Sequence, residues 1–169
     1  MLGYVTQDGA GRADALMADV AARLQARGWT LAGAVQHNVG AASDGRCHMH
    51  LQILGTDNIV RISQDLGPYA RGCRLDTGAL ETAVGYAESA LEASPRLCIV
   101  NKFGKQEIDG KGFRPLIGRA LAEGVPVVCA VGPTHLDGFR AFAGEMAEQV
   151  SPDVDAILAW IDNTAAAEV

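Results

Sequence analysis

The sequence predicts an α/β protein, a mostly parallel β-sheet between two helical layers, with one β-hairpin inserted. Three observations carry this. The runs LCIV (within Arg96–Val100) and VPVVCAV (Val125–Val131) are apolar throughout, as strands covered on both faces are. Alanine-rich segments with helical spacing stand between such runs, and strand–helix alternation implies parallel strands joined by right-handed crossovers. One segment, CHMHLQILGTDNIVRISQDL, breaks that rhythm. Its halves, Cys47–Leu54 and Asn58–Gln64, alternate apolar and polar residues around Gly55-Thr56-Asp57, the pattern of a hairpin.

The chain has 169 residues, 49% hydrophobic and 20% charged, which fits a single domain over residues 1–169 with a substantial core. Leu2–Val5 is a short first strand, and TQDGAGRA (Thr6–Ala13) leads into a helical pattern from Asp14 to Arg27, with Gly28 as its C-cap. Trp29–Gln36 (WTLAGAVQ) reads as the second strand, and His37–Arg46 as a loop by its Asn, Gly, Ser and Asp content. After the hairpin, the glycine-rich GPYARGCRLD (Gly67–Asp76) reaches a helix over Thr77–Ala93, N-capped by Asp76 or Thr77 and ended by Pro95. The strand Arg96–Val100 runs into NKFGKQE. A helix from Gly112 to Glu123 stops at Gly124, and Val125–Val131 is the next strand. His135–Gln149 and Val154–Ile161 read as the last two helices.

Composition narrows the function. A net charge of −6 without a block of Lys or Arg excludes a nucleic-acid backbone as the main partner. No apolar run approaches the roughly 20 residues of a membrane span. The N-terminus lacks the basic, apolar and small-residue order of a signal peptide, so a cytoplasmic protein with reduced cysteines is expected. Cys98 and Cys129, inside apolar runs, are small core hydrophobes.

TQDGAGRA holds the most chemistry. A strand, a glycine-containing turn and a helix in that order point backbone N–H groups and the positive end of a helix dipole at one place. The phosphate-binding motif GxxxxGK[ST] occupies this position in other proteins. Here Thr6 stands for its first glycine, Gly11 for its second, Arg12 for the lysine and Ala13 for the metal-binding hydroxyl. The amides around Gly9, Ala10, Gly11 and Arg12, with Asp8 beside them, can cradle an oxyanion, and Arg12 can bind two of its oxygens at once. An ordinary turn with a surface arginine is the alternative.

Two further polar segments, NKFGKQE and GPTHLDG, also fall at strand ends, where ligands bind in open α/β sheets. In the first, Asn101 stands where an aspartate would hold the hydration shell of Mg²⁺, and Lys102 and Lys105 add positive charge. Glu107, followed by Asp109, is the nearest carboxylate able to position water. Arg71 and Arg74, just before a helix start, suit a second anion contact. His135 lies at the rim, as a ligand contact or a cap. Cys47, His48, His50, His37 and Cys73 contain soft metal ligands, but no CxxC or HxxxH spacing supports a site. On a strand His48 and His50 share one face and Cys47 the other.

These segments carry a resemblance. The N-terminal YVTQDGAGRADAL, the hairpin ending in RISQDLGPYARGCRLD, and LCIVNKFGKQEIDGKGFRPLI together cover most of the chain. In them it resembles a small family of bacterial P-loop NTPase-like proteins of unassigned function, related to the compact nucleoside-triphosphatases first described from thermophiles. The resemblance implies a P-loop α/β sandwich with an inserted hairpin, and a loose association with molybdate-uptake genes. The resulting expectation is a small anionic ligand, ATP or GTP phosphate, molybdate or tungstate, held by Thr6, Asp8, Gly9, Ala10, Gly11, Arg12, Ala13, Arg74, Asn101 and Lys102. With lysine, hydroxyl and aspartate all replaced, Mg²⁺ loses its usual contacts and little or no hydrolysis is expected. The rivals are a slow Mg²⁺-dependent nucleoside-triphosphatase using Glu107, and a non-catalytic relic acting through protein contacts such as a homodimer.

Overall fold

The most apolar runs take the middle of the sheet. The computed structural model describes residues 1–9, 11–39, 48–64 and 74–167. Its strands are β1 (Leu2–Val5), β2 (Leu31–Val39), β3 (His48–Ile53), β4 (Ile59–Arg61), β5 (Leu97–Phe103), β6 (Val127–Val131) and β7 (Ala147–Gln149). They form one seven-stranded sheet in the order β4-β3-β2-β5-β6-β1-β7. The pairs β2/β5, β5/β6, β6/β1 and β1/β7 are parallel, and the hairpin β3/β4 extends β2 antiparallel at one edge. The α/β class and the inserted hairpin are therefore as the sequence predicts.

The helices are α1 (Arg12–Ala26), α2 (Thr77–Leu91), α3 (Lys105–Ile108), α4 (Arg114–Ala122), α5 (Leu136–Ala143) and α6 (Val154–Ala167). Strand alternation divides the core between the two faces. Val5, Ile99 and Val128 pack with Met17, Val20 and Leu24 of α1 and Ile157 and Ile161 of α6. Tyr4, Val100 and Cys129 point the other way, toward Ala83 and Ala87 of α2, Leu116 and Ile117 of α4, and Phe139 of α5. Both described cysteines are fully buried within these layers, and burial pushes the Cys98 thiol up to about 12 and Cys129 well above its ordinary value. They act as apolar filling.

Three sequence expectations are corrected. His135–Gln149 is not one helix. The 3₁₀ turn Pro133–His135 precedes α5, Gly144 then takes a left-handed φ of 56° that ends the helix, and Ala147–Gln149 pairs with the open edge of β1. His37–Val39, expected in a loop, continue β2 because residues 48–50 of β3 lie opposite and supply partners. NKFGKQE is not all loop, since Lys105–Ile108 closes into the short helix α3. The expectations for Ala10, Cys47, Arg71 and Cys73 lie outside the described residues.

The crossovers create the crevice. Leaving β1, the chain enters α1 on one face of the sheet. From β5 and β6 it enters α3, α4 and α5 on the other. The carboxyl ends of the neighbouring strands β5, β6 and β1 thus face a gap between diverging connections, the place where doubly wound sheets bind ligands.

Candidate functional site

A cleft of about 310 Å³ fills that gap. The glycine turn contributes Gln7, Asp8, Gly9, Gly11, Ala13 and Asp14, β5 contributes Lys102, and the end of β6 with its 3₁₀ turn contributes residues 130–135. All three polar strand-end segments named from the sequence converge here. Gly9 and Gly11 both take left-handed φ angles, 100° and 76°, which no bulky residue adopts without strain. Gly11, Ala13 and Asp14 at the start of α1 line the cleft, and helical geometry leaves the first N–H groups of a helix without carbonyl partners inside it. Arg12 N–H makes a long bond to Gly9 O at 3.4 Å.

Lys102 reaches the cleft through an irregularity in β5. Val100 lies opposite Cys129 and Phe103 opposite Val131, so three steps on β5 match two on β6. The extra residue is a β-bulge, which re-aims the side chains beside it. Its effect shows in the core. Strict alternation would send Phe103 to the α1 face with Leu97 and Ile99, yet Phe103 packs with Phe139 and Phe142 of α5 at ring centroid distances of 5.1 and 5.3 Å. Phe103 closes the strand on that side, and Lys102 is left exposed at the rim.

Beneath the cleft runs a closed ring of polar side chains, of which the sequence signalled only Asn101. The amide of Asn101, 2% exposed, donates from Nδ2 to Asp14 Oδ1 at 2.6 Å and accepts Gln36 N–H on Oδ1 at 3.1 Å. Asn38 Nδ2 donates to the other Asp14 oxygen at 2.9 Å, and Asn38 Oδ1 accepts from Gln36 Nε2 at 2.9 Å. Asp14 therefore enters the cleft wall with each carboxylate oxygen already held by an amide donor. An acid in the first turn of α1 is also favoured by the helix dipole. That preference was the available sequence signal for Asp14. Nothing in the sequence marked Gln36 or Asn38.

The other expected site residues lie elsewhere. Arg12 is exposed, and its side chain lies back against Gly9 instead of lining the cleft. Thr6 is half-buried behind the turn, and Arg74 is exposed beside the hairpin, with its carbonyl holding Gln64 N–H at 2.7 Å. Glu107 is buried and lines a neighbouring cavity. Its Oε2 accepts Gly104 N–H at 2.9 Å and its Oε1 accepts Phe113 N–H at 3.2 Å, so the carboxylate caps α3 and pins the turn that follows. Burial, the largest influence, pushes this carboxyl above its ordinary range, and the two amide bonds oppose that.

Magnesium does not fit its usual place in such a cleft. Ala13 has no hydroxyl, Asn101 is spent on Asp14 and Gln36, and both Asp14 oxygens hold amides. Among the described residues, no three His, Cys, Asp or Glu side chains converge to hold a metal ion.

Known proteins agree with this architecture. The structure of THEP1 from the hyperthermophile Aquifex aeolicus superposes with a TM-score of 0.61 at 15% identity, over 96% of each chain. The two share the P-loop NTPase-like fold. In sequence, 151 residues (89% of this chain) are 33% identical to the molybdenum import ATP-binding protein ModC 2 of Bradyrhizobium diazoefficiens. They span only 17% of that much longer protein. Residues 2–160, nearly the whole chain, match the family described as Protein of unknown function (DUF2478), and the chain belongs to that family.

Proposed function

We propose that this protein binds a nucleotide phosphate, or a tetrahedral oxyanion such as molybdate or tungstate, in the cleft at the glycine turn, without Mg²⁺ and with little or no hydrolysis. The observation that carries it is the convergence of the left-handed Gly9 and Gly11, the start of α1 and Lys102 on one cleft at the ends of β1, β5 and β6. An anion there meets the N–H groups at the start of α1, a helix dipole and the Lys102 ammonium, set against the Asp8 carboxylate that shares the cleft. The Asp14 charge is turned onto two amide donors. The P-loop NTPase-like fold and the ATP-binding relative favour a nucleotide. The relative's name, which prints molybdenum import, favours molybdate among the oxyanions.

Calorimetric titration with ATP, GTP, phosphate and molybdate, each in EDTA and in Mg²⁺, tests this. At least one should bind equally in both buffers, and Lys102→Ala should weaken it about tenfold, the cost of one charged hydrogen bond. No binding at millimolar concentration would sink the proposal. Turnover that needs Mg²⁺ and vanishes in both Arg12→Ala and Glu107→Gln would instead identify a slow nucleoside-triphosphatase.

A further inference from the structure

A second cavity, of about 420 Å³, adjoins the cleft, and anion binding alone makes no use of it. It opens between the hairpin, α2 and α3. Leu51, Ile62, Leu80 and Phe113 line it, all belonging to the apolar core cluster on that face and none more than 6% exposed. The core thus continues into a chamber that the described side chains leave unfilled. Lys102 and His135 line both this chamber and the cleft. Lys102 and His135 therefore stand at the junction, with the chamber's apolar walls and the buried Glu107 on one side and the glycine turn on the other.

A bare inorganic oxyanion would use the cleft and leave the apolar chamber to water. An amphipathic molecule would use both, its charge at the junction and its apolar body withdrawn from solvent. Together the cavities have the size and the polarity of a small-molecule site, mostly apolar with a few convergent polar groups at one end.

We propose that the cleft and the chamber form one bipartite site for an organic phosphate or similar oxyanion ester. Its anionic group would lie at the glycine turn and Lys102, and its apolar ring among Leu51, Ile62, Leu80 and Phe113. This rests on the anion-binding reading of the cleft and narrows its ligand class.

The test is calorimetric titration of the full chain, in EDTA, with inorganic phosphate, phenyl phosphate and AMP. Wild type is compared with Leu80→Phe, which fills the chamber from α2, and with Ile62→Phe, which fills it from beside the hairpin. Circular dichroism identifies which variants fold. At least one ring-bearing phosphate should bind wild type about tenfold more tightly than inorganic phosphate, the gain from burying a ring. A folded filling variant should lose that advantage while holding inorganic phosphate within about twofold of wild type, since the two subsites are separate. Equal binding of all three probes to wild type overturns the bipartite site and leaves the anion cleft standing. So does an advantage that the folded filling variants retain. Failure of all three to bind wild type at millimolar concentration overturns the bipartite site, and the anion cleft falls with it only when ATP, GTP and molybdate fail as well.

Discussion

Asp14 and Asn101 show how a single side-chain pair decides what the cleft can do. An aspartate at position 101 looks like a repair toward a metal-using site, yet it would put a second carboxylate 2.6 Å from Asp14 Oδ1 and remove the donor that Asp14 now has. Asn101→Asp should therefore lower stability at neutral pH by about 3 kcal/mol, the scale of an uncompensated buried charge. The deficit should shrink in acid, because the crowded pair takes up a proton more readily folded than unfolded. Chemical denaturation at pH 5 and pH 7 reads both effects, and an equal deficit at the two would refute the pairing. Glu107 makes a second pH test. Its carboxyl lies above the ordinary value of 4.5, so the folded state holds the proton more tightly. This group's stabilisation is complete below that value and is lost as pH rises through the folded one. Glu107→Gln removes the titration and one acceptor for Gly104 or Phe113. The variant should be less stable than wild type by about 1–3 kcal/mol, with the gap narrowing as pH rises above 4.5. At this scale the sequence was partly legible. It marked the three strand ends that converge, because apolar runs followed by Gly, Asn and Lys are visible as text. It could not place Lys102 in the cleft and Arg12 outside, because the bulge in β5 depends on pairing with β6.

Secondary elements were easier to read where their signals are local. Asp76 sits at the N-cap of α2 and accepts Ala79 N–H at 3.0 Å, one of the two caps the sequence offered. Asp76→Ala should cost about 1 kcal/mol and lower Tm by roughly 2–4 °C in a chain of this length. A thermal melt within about 1 °C of wild type would show that Thr77 takes over the cap. The buried strands β5 and β6 were equally plain, since each is apolar along its length. What failed was non-local. The strand β7 carries AEQ, a poor strand sequence by propensity, and forms because β1 presents an unpaired edge and Gly144 releases the chain to reach it. Trp160 of α6 reinforces the arrangement, donating Nε1–H to Glu148 at 3.0 Å while its ring covers Gly3 on β1. Likewise β2 runs three residues past its apolar stretch, held there by β3. Those three residues deliver Asn38 to the ring under the cleft.

Across the whole molecule, the layered architecture follows from the order of apolar strands and helices, and it was fully legible. The ligand was not, because the chamber beside the cleft is assembled from residues 36 to 135 and no segment of the sequence outlines it. No described helix is long and apolar enough to cross a membrane. The sheet's outer rows are short. On one side stands β4, three residues long, with Arg61 exposed beside Ile59, which is 67% exposed. On the other stands β7, also three residues, with Glu148 and Gln149 exposed. Charged, abbreviated borders of this kind discourage backbone pairing between molecules. Arg61→Val, which leaves an unbroken apolar border on β4, should increase concentration-dependent association relative to wild type, read by light scattering over a dilution series. Growth of the sheet is thus discouraged at both described borders. A molecule approaching in the plane of the sheet meets those charged borders first, whereas the cleft opens at the carboxyl ends of the inner strands β5, β6 and β1.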